Sequence, residues 1–133
     1  MDELWLEVCV RAKACSRFRW MPGMAWWTED DHGRLDDFQP EYMRCPPNAL
    51  PDLRDPATFG CLLKLVRDVW GDPHLYVRLS DTRRAGDGVQ AWEVLGWADA
   101  AHSPTGRPAS WRGWGYATEA EALVAALEAA EEV

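Results

Sequence analysis

The sequence predicts an α+β protein of one domain, in which a small antiparallel sheet of about three to six strands packs with three helices. Three observations lead to this fold class. The chain has 133 residues, which is the usual size of a single domain. Three segments carry apolar residues at helical spacing. The segments between them alternate apolar and polar residues and are bounded by turn signals, as strands are.

The first helix is predicted over about residues 2–15, where Leu4, Trp5 and Val8 share one face. Residues 18–39 are predicted to be extended chain with turns. Asp30-Asp31-His32-Gly33 separates two short apolar segments there, so it is the expected tip of a hairpin. Four prolines predict an irregular connection over residues 40–54.

The second helix, over residues 55–70, has the clearest boundaries. Asp55 is its expected cap, Pro56 takes the first helical position, and Gly71 ends it. Strands are predicted at 74–80, 90–97 and 111–116. The pair Thr118 and Glu121 has capping-box spacing and predicts a last helix over residues 118–132.

Metals, cofactors and disulfides are not expected. The four cysteines contain no Cys-x-x-Cys pair, and two of them lie in apolar helical patterns, which predicts structural thiols. The acidic start Met1-Asp2-Glu3 is unlike a signal peptide, and no apolar run is long enough to span a membrane. We therefore expect a cytoplasmic protein without a membrane partner.

Two segments carry a resemblance to a known group. Residues 51–71, which begin Pro-Asp-Leu-Arg-Asp-Pro, and residues 118–130 resemble small phage and prophage proteins of GC-rich bacteria. In architecture that group is similar to the phage α/β/α (ABA) sandwich domain. Trp20-Met21-Pro22-Gly23-Met24 also resembles an N-terminal element of such chains. The resemblance implies the fold and a phage origin, and it brings no catalytic residues with it.

Catalytic signatures are missing from the sequence. It has no nucleophile elbow, phosphate-binding loop or His-Glu-x-x-His motif. Its histidines, His32, His74 and His102, fall in or beside predicted turns and loops. With 22 acidic against 14 basic residues, the chain is also unlike a general nucleic-acid-binding protein. The sequence therefore predicts a protein that is not an enzyme.

Nine tryptophans make the chain unusually rich in indole, and some lie beside arginines. Arginine offers planar donors for phosphate or carboxylate, and tryptophan offers a face for stacking, so the combination suits a nucleotide or a protein hot spot. The alternative is that the indoles fill the core, as we expect for Trp5 and Trp70. The candidate binding residues are Arg17, Arg19, Trp20, Trp26, Trp27, Trp111, Arg112 and Trp114.

Charge is unevenly distributed along the chain. Residues 10–28 hold four basic and no acidic residues, whereas residues 29–41 hold six acidic residues and one arginine. An acidic face can imitate nucleic acid and occupy a basic groove on a partner, or it can be ordinary solvated surface. The candidate acidic face consists of Asp30, Asp31, Asp36 and Asp37.

These observations favour a phage-encoded binding protein that modulates a bacterial host protein. Inhibition of an antiviral defence system, such as a CRISPR effector, is the preferred hypothesis. The alternatives are a protein that sequesters a signalling nucleotide, an uncatalogued small enzyme and a phage accessory protein. The sequence leaves both a monomer and a homodimer open.

Overall fold

A computed structural model describes residues 3–36, 44–79, 91–95 and 112–130. These ranges contain three helices and two antiparallel sheets of three strands each. The predicted α+β class is confirmed, and the strands are divided between two small sheets. The chain forms two compact units, an N-terminal unit (Met1–Leu62) and a C-terminal unit (Leu63–Val133), whose boundary falls inside the second helix.

The N-terminal unit contains the first helix and the first sheet. Apolar residues of the helix and the loops form its buried core, because removing apolar surface from water is favourable. Among them are Val8, Met24 and Leu35. The elements are α1 (Glu3–Ala14), β1 (Ala25–Trp27), β2 (His32–Arg34) and β3 (Leu50–Pro51). The sheet has the strand order β2-β1-β3, with both pairs antiparallel.

The hairpin β1–β2 is tighter than the sequence predicts. His32 and Gly33, expected at the tip, belong to β2 and pair with Trp27 and Trp26 of β1. Gly33 fits because it has no side chain: a Cβ there would lie 2.7 Å from the Trp26 indole. The loop is therefore Thr28–Asp31 alone.

Strand β3 lies within residues 40–54, which the prolines had marked as irregular, so this prediction is wrong at Leu50 and Pro51. Both residues pair with β1, Leu50 with Trp27 and Pro51 with Trp26. A proline is tolerated because β3 is an edge strand, where one side of the backbone needs no ladder partner.

The second helix, α2 (Pro56–Trp70), begins at a network of hydrogen bonds. The Asp55 carboxylate accepts the backbone N–H of Thr58 at 2.9 Å and its hydroxyl at 3.0 Å. The Thr58 hydroxyl oxygen in turn accepts the backbone N–H of Ala25 at 2.7 Å. The capping residue thus fastens the helix start to β1. Gly71 ends the helix with a positive φ of 64°.

The C-terminal unit is a sheet covered by one helix. The elements are β4 (Tyr76–Leu79), β5 (Trp92–Leu95), β6 (Arg112–Tyr116) and α3 (Glu119–Ala130). The strand order is β4-β5-β6, and α3 packs on all three strands. Leu123, Val124 and Leu127 of α3 are buried together with Val94 of β5. The Thr118 hydroxyl accepts the backbone N–H of Glu121 at 3.1 Å and caps the helix.

Polar contacts also link separate parts of this unit. The Trp70 indole N–H, near the end of α2, donates to the backbone carbonyl of Ala126 at 2.9 Å. Across the β4–β5 pair, exposed Arg78 donates to the buried carboxylate of Glu93. The carboxylate of Glu93 is thus buried together with a guanidinium that balances its charge.

All four cysteines are free thiols. Cys9 is buried on α1, and this burial raises the pKa of its thiol to about 11, so it stays protonated at neutral pH. In the part of the chain that the structure describes, no cluster of side chains could hold a metal ion. Nor does that part contain a helix with the length and apolar character needed to cross a membrane.

Candidate functional site

The N-terminal unit has an open cavity of about 260 Å³ beside the β1–β2 loop. Residues from three separate parts of the sequence line it: helix α1, the hairpin, and the segment that leads into β3. The lining combines an indole, two carboxylates, an amide and two leucines. We call this cavity the Trp27 pocket, and its lining residues are Leu6, Trp27, Thr28, Glu29, Asp30, Asn48 and Leu50.

The loop that supplies the carboxylates is held by one buried hydroxyl. Thr28, which is only 8% exposed, accepts the backbone N–H groups of Asp30 at 3.2 Å and Asp31 at 2.9 Å. The Thr28 backbone N–H also donates to the Asp31 carbonyl at 2.8 Å. These bonds fix the turn, so the exposed Glu29 and Asp30 are presented from a rigid backbone.

The indole of Trp27 is positioned by its neighbours in the sheet and on α1. In the sheet Trp27 lies between His32 of β2 and Leu50 of β3. Its ring meets the Trp5 ring edge to face, with centroids 5.7 Å apart and planes at 76°. This geometry is the one that aromatic quadrupoles favour. One wall of the pocket is therefore an indole that is held in place by contacts with its neighbours on the sheet and on α1.

The Arg54 side chain lies over the ring of Trp5. The guanidinium carbon of Arg54 lies 3.9 Å from the Trp5 ring centroid, and Arg54 Nε lies 3.5 Å from an Asp52 carboxylate oxygen. The arrangement is a cation–π contact supported by a carboxylate. The Trp5 indole nitrogen is buried without a hydrogen-bond partner, so Trp5 is held by its ring contacts rather than by its N–H.

Helix α1 adds an apolar surface next to the pocket. Leu6, which lines the pocket, is 37% exposed, and Val10, one turn further along, is 49% exposed. Residues four apart lie on the same face of a helix. Leu6 and Val10 therefore extend the pocket as an exposed apolar strip.

The pocket carries negative charge that the described part of the chain leaves uncompensated. Within these ranges, no basic side chain forms an ion pair with Glu29 or Asp30. The neighbouring cations are engaged elsewhere: Arg34 with Asp55, and Arg54 with Asp52. An aromatic wall with two available carboxylates attracts a cation and repels an anion.

Five of the predicted aromatic and basic candidates lie in the N-terminal unit. Arg17 and Arg19 are exposed. Trp20 meets Phe18 edge to face at 5.3 Å. Trp26 lies over Gly33, on the sheet face opposite to Trp27, as alternation along a strand requires. Only Trp27 of this set lines the pocket.

The remaining candidates are placed as follows. Asp30 lines the pocket, Asp31 is exposed and accepts the His32 backbone N–H through its side chain at 2.8 Å, and Asp36 is partly buried. Asp37 and Trp111 lie outside the described residues, whereas Arg112 and Trp114 are described only as backbone positions of β6.

Several pocket residues carry no signal in the sequence. Leu6, Asn48 and Leu50 are ordinary residue types, two of them in a segment whose prolines suggested irregular chain. The pairing of Leu50 with Trp27 and of Pro51 with Trp26 brings that segment to the hairpin. The tryptophan pair and the acidic run were the detectable part of the site.

Comparisons of this chain with protein-family models, with curated proteins and with solved structures found no match.

Proposed function

We propose that this chain is a protein-binding module rather than an enzyme, and that its Trp27 pocket receives a side chain from the partner protein. The observation that carries the proposal is the pocket itself. A braced indole, two carboxylates and an exposed apolar strip lie together on one surface of the N-terminal unit. Tryptophan is enriched among the few residues that supply most of the binding energy of protein interfaces, and complementary charge selects the partner.

The size of the pocket supports a side chain as its occupant. Pockets for drug-sized ligands measure roughly 300–1,000 Å³, and the Trp27 pocket measures about 260 Å³. Its charge also bears on the nucleotide alternative. Glu29 and Asp30 would repel a phosphate group, and the guanidinium of Arg54 lies over Trp5. A protein anchor therefore suits this site better than a signalling nucleotide.

The partner that we propose is a bacterial host protein. The phage-like resemblance of residues 51–71 and 118–130 supports a phage-encoded modulator, and the net charge of −8 supports a basic surface on the partner. Proteins that handle nucleic acid have such surfaces. Antiviral defence effectors, including CRISPR effectors, belong to that class, and inhibition of one of them is our proposed role for this chain.

A crosslinking experiment tests the binding function. Asn48 is exposed at the rim of the pocket, so a photoreactive benzoylphenylalanine is introduced there, and the protein is irradiated inside a bacterium of high genomic GC content. We expect one dominant crosslinked host protein. The crosslink should persist with Trp20→Phe, a matched aromatic control, and disappear with Trp27→Ala.

Binding of the purified chain to the purified host protein then measures how much Trp27 contributes to the affinity. Calorimetry should show that Trp27→Ala weakens binding by about tenfold or more, as expected for a hot-spot residue. Circular dichroism confirms that the variant is folded, and the double variant Glu29→Gln/Asp30→Asn tests the same surface without removing an aromatic ring. Binding that is unchanged in both variants would exclude this surface as the interface.

Phage plating tests the proposed role in defence. A strain with an active CRISPR effector is infected while it expresses either the natural chain or Trp27→Ala. We expect the natural chain to raise plating efficiency and the variant to fail. Equal plating with and without the natural chain would reject the defence role and leave the binding function to the crosslinking result.

A further inference from the structure

We infer that the side chain that enters the Trp27 pocket is an arginine, whose guanidinium stacks on the Trp27 indole and pairs with the carboxylates of Glu29 and Asp30. This inference rests on the proposed binding function and specifies the chemistry of the partner. The partner presents an exposed arginine, in the way that proteins with a basic surface do.

Each part of the pocket corresponds to a part of an arginine side chain. Leu6 and Leu50 are apolar and suit the methylene stem. The indole of Trp27 offers a negative face to the guanidinium. Glu29, Asp30 and the amide oxygen of Asn48 are acceptors for its five N–H donors. No basic side chain of the described residues competes for the two carboxylates.

The N-terminal unit already contains the same arrangement within its own chain. Arg54 lies over the Trp5 ring at 3.9 Å while Asp52 supports it from the side at 3.5 Å. Trp27 is the aromatic neighbour of Trp5, and the pocket that it lines is also lined by two carboxylates. A second guanidinium, supplied by the partner, would repeat at Trp27 the contact that Arg54 makes at Trp5.

The geometry favours arginine over lysine. A guanidinium is planar, stacks on an aromatic ring and donates in a fork toward carboxylate oxygens, whereas an ammonium is a compact and strongly hydrated charge. An open pocket with an indole wall gains little from an ammonium that keeps its water. The Thr28 hydrogen bonds fix the backbone of the loop that carries the carboxylates, so the loop itself needs little ordering when the guanidinium binds.

An NMR titration tests the inference with defined probes. Acetyl-Gly-Arg-Gly-amide is added to the isotope-labelled chain, and acetyl-Gly-citrulline-Gly-amide serves as a neutral probe of nearly the same shape. We expect the arginine peptide to shift the Trp27 indole and the Glu29 and Asp30 amides. The citrulline peptide should bind about tenfold more weakly, because it lacks the charge that strengthens stacking and hydrogen bonding. The corresponding lysine peptide should also bind more weakly than the arginine peptide.

Two charge variants, one in the pocket and one elsewhere, test whether the pocket carboxylates bind the arginine peptide. Glu29→Gln/Asp30→Asn should reduce arginine-peptide binding by about tenfold, since it removes the charge-assisted bonds but keeps the side-chain shapes. Glu119→Gln, an exposed residue of α3 in the other unit, is the control and should change nothing. Equal binding of arginine and citrulline peptides, tighter binding of lysine, or shifts confined to other residues would each overturn the inference.

The experiments distinguish a failure of the arginine inference from a failure of the proposed binding function. If crosslinking at Asn48 yields a partner that depends on Trp27 while the arginine peptide leaves the pocket residues unshifted, the binding function stands and the arginine inference falls. If the arginine peptide binds but no host protein is captured, the pocket chemistry stands and the proposed function falls.

Discussion

Arg34 and Asp55 form an ion pair with two parallel hydrogen bonds, one of 2.9 Å from Nη1 to Oδ2 and one of 2.7 Å from Nη2 to Oδ1. Arg34 belongs to β2 and Asp55 caps α2, so the pair joins the hairpin to the helix start. The same arginine also donates to the carbonyl of Gly23 at 2.7 Å. The hairpin that carries the Trp27 pocket is therefore anchored by its second strand as well as by the bond from Ala25 to Thr58.

This pair should make stability depend on pH in the acid range. The hydrogen bonds from Arg34, followed by those from Thr58, hold the pKa of the Asp55 carboxyl well below its ordinary range. A carboxyl whose pKa is lowered by folding stabilises the protein above its unfolded pKa of about 3.9, and that contribution is lost as the pH falls toward the folded pKa. We expect the free energy of unfolding to fall accordingly below about pH 4.

Asp55→Asn isolates the effect, because asparagine also caps helices but carries no charge. Urea unfolding at pH 7 should show the natural chain to be more stable than the variant by about 1.5–3 kcal/mol, the range for hydrogen bonds to charged groups. At pH 2.5, which lies below the unfolded pKa but above the folded one, the difference should be smaller but not abolished. A difference in unfolding free energy that stays constant from pH 7 to pH 2.5 would contradict this account of the pair.

Substitution by alanine should change the stability of the chain in opposite directions at two glycines. At Gly33 a Cβ would lie 2.7 Å from three atoms of the Trp26 indole, so Gly33→Ala should destabilise the chain by about 1–3 kcal/mol, the usual range for overpacking. At Gly60, inside α2, a Cβ meets nothing within 4 Å. Gly60→Ala should therefore stabilise the chain by about 0.5–1 kcal/mol through helix propensity. Chemical unfolding of both variants checks the contrast, and equal effects would refute it.

Trp70 and Trp5 form a second matched pair. The Trp70 indole donates a hydrogen bond to Ala126, whereas the Trp5 indole N–H is buried without a partner. Replacing either residue by phenylalanine removes a similar amount of surface, but only Trp70→Phe breaks a bond, and only Trp5→Phe relieves an unsatisfied donor. We expect Trp70→Phe to cost about 2 kcal/mol more than Trp5→Phe in the free energy of unfolding. The reverse order would show that the indole N–H groups do not decide the outcome.

The Thr28 hydroxyl should matter for both stability and binding. Thr28→Val keeps the shape but leaves the N–H groups of Asp30 and Asp31 without their acceptor, which should cost about 1–3 kcal/mol. Hydrogen exchange at these two amides should become faster, and the arginine peptide should bind more weakly. Thr28→Ser keeps the hydroxyl and is the control. Unchanged exchange in the valine variant would show that the turn is held by other contacts.

Helix starts were the most predictable part of the fold, because their signals are local. Asp55 caps α2 with its side chain, as its position before Pro56 suggested, and the Thr118 hydroxyl caps α3. Such signals involve residues within one turn of each other, so they can be seen in the sequence without knowledge of the tertiary structure.

Strand β3 and most of the pocket were not predictable for the opposite reason. Leu50-Pro51 has neither alternation nor length, and it is a strand only because β1 provides partners more than twenty residues earlier in the chain. Leu6, Asn48 and Leu50 meet at the pocket through that pairing and through the packing of α1. Contacts of this kind depend on the fold as a whole, which residue patterns within a short window do not record.

The two adjacent tryptophans of β1 lie on opposite faces of the sheet and make different contacts. Trp26 covers Gly33 on one face of the sheet, and Trp27 lines the pocket on the other. Because the two side chains point in opposite directions, the residues around Trp27 can vary without disturbing Trp26, which keeps the strands in register. The binding surface that we propose can therefore change during evolution while the supporting architecture stays constant.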